Sequence, residues 1–214
     1  MRIAIMGTGG VGGYFGARLA VAGQDVHFVA RGAQLAAIRA HGLRVESPRG
    51  DLHLRDIKVT DTPAEIGTAD LVLFGVKLWD TEAAAAAIGP LVGEHTAVMS
   101  LQNGVVKDDI LRRALGERAI VGGVGYIAAT IAEPGVIRHT GTMQKLVFGE
   151  YDGHASERLR RFRDACAAAG IDHELSDDIR RALWQKFVFL VGLSGSTAAA
   201  RVPIGRIRSH PRSR

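Results

Sequence analysis

The run Ile3-Ala4-Ile5-Met6-Gly7-Thr8-Gly9-Gly10-Val11-Gly12 decides the fold. Its first four residues are uninterruptedly apolar, the pattern of a short strand buried on both faces. They run into the spacing G-x-G-x-x-G, and residues 12–22 continue as a helix. A strand, a glycine turn and a helix in that order open a dinucleotide-binding unit. Gly7 permits the tight turn, Gly9 lets the backbone approach a pyrophosphate, and Gly12 lets the helix pack closely on the strand. The helix start then offers unpaired N–H groups and partial positive charge to phosphates. The loop Gly7, Thr8, Gly9, Gly10, Val11 and Gly12 is therefore the candidate nucleotide cradle, against the alternative of a glycine-rich turn that serves packing alone.

Working outward, the same alternation repeats. Apolar runs at 25–30, 70–76, 97–101 and 119–124 read as strands, and 82–88 and 105–115 as helices. Such strands suit the inside of a parallel sheet, and their alternation with helices predicts an α/β fold, a Rossmann-type doubly wound parallel sheet. From Pro134 the pattern changes. Residues 136–139 and 145–149 read as shorter strands joined by a Gly-Thr turn, 157–169 as an amphipathic helix and 171–175 as a last strand. Ser176 offers an N-cap to the next helix, with Asp177 and Asp178 in its first turn. That helix runs through Trp184, Lys186 and Phe187. A boundary near Ser176 gives a nucleotide-binding domain over 1–176. Residues 177–214 are then the start of an all-helical second domain, too short to bury a core of its own.

The second strand ends at Val29-Ala30-Arg31-Gly32. Sites that prefer NAD place an acid there for the ribose 2′-hydroxyl. Here Arg31 stands in that place, and a guanidinium suits a 2′-phosphate. The expected cofactor is NADP, used as NADPH, although Arg31 also reads as an ordinary solvated arginine. Ligands of open parallel sheets bind outside the carboxyl ends of the strands. Lys77 and Asn103 fall there, one after Val76 and the other after Leu101-Gln102. The chain has five lysines against 22 arginines, so a lysine at such a place is informative. Asn103-Gly104 is also a plain turn signal. Lys186, beside Trp184, is a candidate acid: a reductase must protonate the oxygen that gains charge as hydride arrives, and burial lowers a lysine's pKa. Snorkelling at the edge of an apolar helix is the alternative.

Composition excludes several classes. Of 214 residues, 47% are hydrophobic and 23% charged, which rules out intrinsic disorder. Residues 187–200 are interrupted by glycine, serine and threonine, and no stretch reads as a membrane span. The N-terminus lacks the pattern of a signal peptide, so a cytoplasmic location is expected. Cys166 is the single cysteine, which excludes an internal disulfide, and the eight histidines show no metal-site spacing, so no metal is expected. The net charge of +5 resides in residues 201–214, which carry Arg201, Arg206, Arg208, Arg212 and Arg214 and no acid. That tail has no aromatic interleaving and two prolines, so nucleic acid is not an expected partner. The apolar helix after Phe187 favours self-association, and a homo-oligomer is the expected state.

Gly7-Thr8-Gly9-Gly10-Val11-Gly12-Gly13, Arg31-Gly32, Val76-Lys77, Leu101-Gln102-Asn103-Gly104, Trp184-Gln185-Lys186-Phe187 and Pro203-Ile204-Gly205 occur in that order. The combination resembles the ketopantoate reductase family, the 2-dehydropantoate 2-reductases. The glycine loop is shared with many dehydrogenases; the Leu-Gln-Asn-Gly and Trp-x-Lys runs are more specific. The resemblance implies NADPH-dependent reduction of 2-dehydropantoate to pantoate, a step toward pantothenate and coenzyme A. It implies that Arg31 and Lys77 contact the NADP phosphates and adjoining ribose, that Asn103 lies between cofactor and substrate, and that the backbone at Ala128 lines the nucleotide site. Lys186 becomes the proton donor to the substrate C2 oxygen, with Asn103 and Ser194 beside it as substrate-binding residues. Two features depart from the pattern. The family usually has asparagine one helical turn after the lysine, where this chain has Leu190, which cannot hydrogen-bond a substrate hydroxyl. The chain also ends at Arg214, before the family's later serine and glutamate. A reductase of another 2-keto acid, or an NADPH-binding remnant without catalysis, are the alternatives these departures keep open.

Overall fold

The computed structural model describes residues 1–211. In chain order its strands and α-helices are β1 (Arg2–Met6), α1 (Gly10–Val21), β2 (Asp25–Val29), α2 (Gly32–His41), β3 (Leu43–Glu46), β4 (Leu52–Leu54), β5 (Lys58–Thr60) and β6 (Leu71–Phe74). There follow α3 (Thr81–Ile88), β7 (Ala97–Ser100), α4 (Lys107–Leu115), β8 (Ile120–Glu133), β9 (Val136–Gly149), α5 (Glu157–Ala168), β10 (Asp172–Leu175), α6 (Ile179–Ala200) and α7 (Ile204–Ser209). The sheet runs β4-β3-β9-β8-β7-β6-β1-β2-β5, with β10 beside β9.

The segment from β8 through β7, β6, β1 and β2 to β5 is parallel throughout. Its strands are buried on both faces because successive side chains feed two separate cores. Ile3, Ile5, Leu71, Leu73, Ala97 and Met99 join α1, α2 and α5 on one side. Ala4, Val72, Phe74 and Val98 join α3 and α4 on the other. This is the doubly wound α/β arrangement expected from the sequence. Beyond β8 the sheet becomes mixed, since β8 and β9 pair antiparallel, as do β3 and β4.

Two expectations need correction. The strands placed at 136–139 and 145–149 are one strand, β9. His139 pairs with Ala129 and Gln144 with Ile127, so residues 140–143 bulge out opposite Ala128 alone. Gly141 supplies the positive φ (73°) there, and His139 Nε2 donates to the Met143 carbonyl at 3.0 Å across the bulge. The Gly-Thr signal is thus a β-bulge inside a continuous strand, which bends the strand without ending it. The N-cap of α6 is Asp178, whose carboxylate accepts from the Arg181 amide at 3.0 Å. Ser176 sits just outside and accepts from the Asp178 amide at 3.1 Å. The first turns of α6 are anchored to the sheet, with Ile179 and Leu183 packed on Val124 and Val147. Arg212 and Arg214 of the basic tail lie outside the described residues.

Candidate active site

Strands β1, β2, β6 and β7 run parallel, so the residues that follow them emerge at one edge of the sheet. The glycine loop, Arg31, Lys77 and Asn103 share that edge, where open α/β sheets bind ligands.

The glycine loop is closed on one side and open on the other. Gly7 has φ 98°, and a Cβ on Gly12 would meet the Gly7 carbonyl oxygen at 2.3 Å. A Cβ on Gly10 would meet the Ala129 carbonyl oxygen at 2.2 Å. The helix start is therefore pressed onto β8 beside Ala128, which sits opposite the bulge. Around Gly9 an added Cβ meets nothing within 4 Å, so this side is open to a ligand. Gly9 is the N-cap of α1, with no side-chain cap and no acid in the first turn. The amides of Gly10 and Val11 thus lack a side-chain competitor for an anion, the donor set a diphosphate requires. Thr8 turns inward: its hydroxyl donates to the Val29 carbonyl at 2.9 Å, tying the loop to β2. Gln34, which sequence reasoning missed, completes the frame. It donates to the Thr8 carbonyl at 3.0 Å and accepts from the Gly135 amide at 2.9 Å.

Arg31 and Lys77 are both exposed. Asp80 brings them to one corner. Its carboxylate accepts from Arg31 Nη2 at 2.8 Å, and its amide donates to the Lys77 carbonyl at 2.9 Å. Asn103 is exposed in the turn after β7, next to Gly104 at φ 96°. Buried Gln102 holds that turn, donating to the Thr81 hydroxyl at 2.8 Å and accepting from the Ser100 hydroxyl at 2.9 Å.

Lys186 is half-buried, and its Nζ donates to the Gly125 carbonyl of β8 at 2.6 Å, 5.7 Å from the Tyr126 ring centre. Burial, reinforced by the positive charge of Lys107, pulls its pKa down to about 8. Lys107 is the second residue the sequence did not single out, although it is one of only five lysines and follows the Asn-Gly turn. It is 1% exposed, with its pKa lowered by burial. Ser194 lies two helical turns beyond Lys186, is exposed, and donates back to the Leu190 carbonyl at 2.6 Å. The structure does not bring Ser194 to the Lys186 amine. Leu190 is half-buried one turn after Lys186.

The family model described as "Ketopantoate reductase PanE/ApbA" matches residues 3–153, most of the chain. The chain belongs to the ketopantoate reductase family. A 2-dehydropantoate 2-reductase of Mesorhizobium japonicum is 33% identical over 94% of this chain and 70% of its own length. The crystal structure of 2-dehydropantoate 2-reductase from Geobacter metallireducens superposes with a TM-score of 0.92 at 36% identity, covering all of this chain and 70% of that one. D-mandelate dehydrogenase, solved with NADH and anilino(oxo)acetate, shares the fold at a TM-score of 0.89 and 20% identity over 69% of its length. Ketopantoate reductases are oxidoreductases with a Rossmann-like nucleotide-binding domain, which in this chain is the glycine loop and the parallel strands around it. Among the described residues no helix is long and apolar enough to cross a membrane.

Proposed function

We propose that this chain catalyses NADPH-dependent reduction of 2-dehydropantoate to pantoate, with Lys186 as the proton donor. The observation that carries this is the Lys186 amine. It is half-buried and held by the Gly125 carbonyl, with its pKa drawn to about 8, within a scaffold that matches ketopantoate reductases. The open glycine cradle fits the diphosphate of a nicotinamide dinucleotide, and Arg31 with Lys77 offers cations to a 2′-phosphate at the corner made by Asp80. The reduced nicotinamide, when bound, supplies the hydride to the substrate's C2 carbonyl carbon. Lys186 donates to the C2 oxygen as charge develops there and leaves it as a hydroxyl; solvent then reprotonates the amine. Asn103, at the end of β7, has the reach of a strand-end residue toward both cofactor and substrate. Residues 1–176 would hold the nucleotide, and α6 would bring Lys186 to it.

The test is NADPH oxidation by the purified chain with 2-dehydropantoate, run beside Lys186→Ala. General acid catalysis contributes roughly 100- to 10,000-fold, so Lys186→Ala is expected to lose at least about 100-fold in kcat. NADPH affinity, read by fluorescence, is expected to be retained. Turnover that survives the substitution overturns the assignment. Leu190 favours a second reading, reduction of another 2-keto acid. It has no polar atom for a substrate hydroxyl, so a panel of 2-keto acids in the same assay separates the two. NADPH binding with no turnover of any of them would leave a binding role alone.

A further inference from the structure

Lys107 occupies a place that packing alone does not explain. The ladder between β7 and β8 ends at Met99 and Val121, and beyond it the two strands fork. The Lys107 ammonium sits in that fork. Its Nζ donates to the Ser100 carbonyl of β7 at 2.6 Å, to the Gly123 carbonyl of β8 at 3.1 Å and to the Asp108 carboxylate at 3.4 Å. Three acceptors meet three N–H donors, the complement of a protonated amine. Ser100 is also the residue from which Gln102 and the Asn103 turn are hung.

Lys186 hangs on the same strand. Its acceptor is Gly125, two residues beyond Gly123. Strand carbonyls two residues apart point the same way and lie about 7 Å apart. The two ammonium groups therefore sit on consecutive same-side carbonyls of β8, one fully buried and the other half-buried. A second connection closes the ring. Asp108 accepts from the Tyr151 hydroxyl at 2.5 Å. The Tyr151 ring lies 4.0 Å from the Arg112 guanidinium and 4.7 Å from that of Arg180, on the helix that carries Lys186.

We propose that Lys107 is a positioning residue for the reduction: it bridges the fork of β7 and β8, fixes the Asn103 turn, and sets the charge that Lys186 faces along β8. This rests on the proposed role of Lys186 as proton donor. A second buried cation beside an amine is a known way of making that amine a better acid. Other charged or titratable groups around α6 are placed less directly. Tyr126 of β8 lies under the amine. Lys145 of β9 is paired with Glu174 at 2.6 Å. Arg180 stacks on Tyr151, itself held by Asp108, and Arg206 and Arg208 are on α7 at the far end of the helix. Burial, acting with Lys107, is what lowers the pKa of Lys186.

The experiment is a pH titration of the whole chain carrying 13C-labelled lysine, followed by NMR of the five ε-carbons, with neither cofactor nor substrate present. The wild type is expected to show Lys186 titrating near 8. In Lys107→Met the Lys186 midpoint is expected to rise toward the ordinary lysine value, and in Lys107→Arg, which keeps the charge, to stay near its wild-type value. An unchanged midpoint in a folded Lys107→Met protein overturns the proposal. Should Lys107→Met fail to fold, Lys107→Gln, which removes the charge but keeps an N–H donor in the fork of β7 and β8, supplies the same measurement: the Lys186 midpoint must rise there too, and no change in it is equally decisive. Because no substrate is used, the result stands apart from activity. Turnover that survives Lys186→Ala defeats the donor assignment and leaves this charge coupling intact, whereas an uncoupled pair leaves the donor assignment standing.

Discussion

Arg31 shows how a residue can be legible in sequence while its neighbourhood is not. Its position after β2 follows from the spacing of the nucleotide-binding unit, but its pairing with Asp80, 49 residues away, does not. The same holds for Gln34, whose partner Gly135 is 101 residues distant, and for Lys107, whose acceptor on β8 is 16 away. These contacts exist only once the sheet has assembled. The Arg31–Asp80 pair is weak, because the guanidinium side chain is 82% exposed. Exposed pairs contribute about 0–1 kcal/mol, whereas a hydrogen bond to a charged phosphate contributes roughly 1.5–3 kcal/mol. A 2′-phosphate can therefore take Arg31 from Asp80. Arg31→Ala is expected to weaken NADPH binding about tenfold or more while NADH binding changes little, as read by fluorescence titration of both nucleotides. Equal losses for the two would remove the 2′-phosphate contact from Arg31.

At the scale of elements, the strongly apolar runs announced themselves and the short polar ones did not. β1, β6 and β7 are buried on both faces, so their side chains had to be continuous hydrophobic stretches. β3, β4, β5 and α2 gave no comparable signal. Leu43-Arg44-Val45-Glu46 alternates over only four residues, and it is a strand because β9 and β4 flank it. β9 misled for the opposite reason. Thr140-Gly141-Thr142 carries turn chemistry that is genuinely used, but as a bulge within a paired strand. The start of α6 makes a comparable point about caps. Ser176 is the expected cap, with Asp177 and Asp178 expected inside the first turn, yet the backbone turns helical two residues later and makes Asp178 the cap. Losing an N-cap carboxylate costs about 1 kcal/mol. For a chain of this size that is a fall of roughly 2–4 °C in the melting temperature. Asp178→Ala is expected to show that fall by circular dichroism, and Ser176→Ala a smaller one. The reverse order would return the cap to Ser176.

The whole molecule has an asymmetry that bears on its state in solution. The doubly wound sheet covers both of its faces with helices, but α6 leaves the sheet after Leu183, and its later side chains are largely uncovered. Trp184, Val188 and Val191 follow one another at helical spacing along one stripe, between 51% and 66% exposed, with Phe189 at 62% beside them. Scattered apolar residues are ordinary on a surface, whereas a contiguous stripe of this kind marks an interaction face. Burying roughly 400 Å² of such surface yields about 10 kcal/mol at 25 cal/mol per Å². Association costs about 4–15 kcal/mol in lost freedom. The two nearly balance, so the expected outcome is reversible, concentration-dependent self-association of this chain rather than a tight oligomer. Light scattering across a dilution series should give a mass that rises above the 22.8 kDa of one chain as concentration increases. Val188→Lys with Val191→Lys puts two charges on the stripe without touching Ile179 or Leu183, which anchor the helix. That double variant is expected to hold the monomer mass throughout. A constant monomer mass for the unaltered chain would mean that the stripe does not bury itself against a second copy.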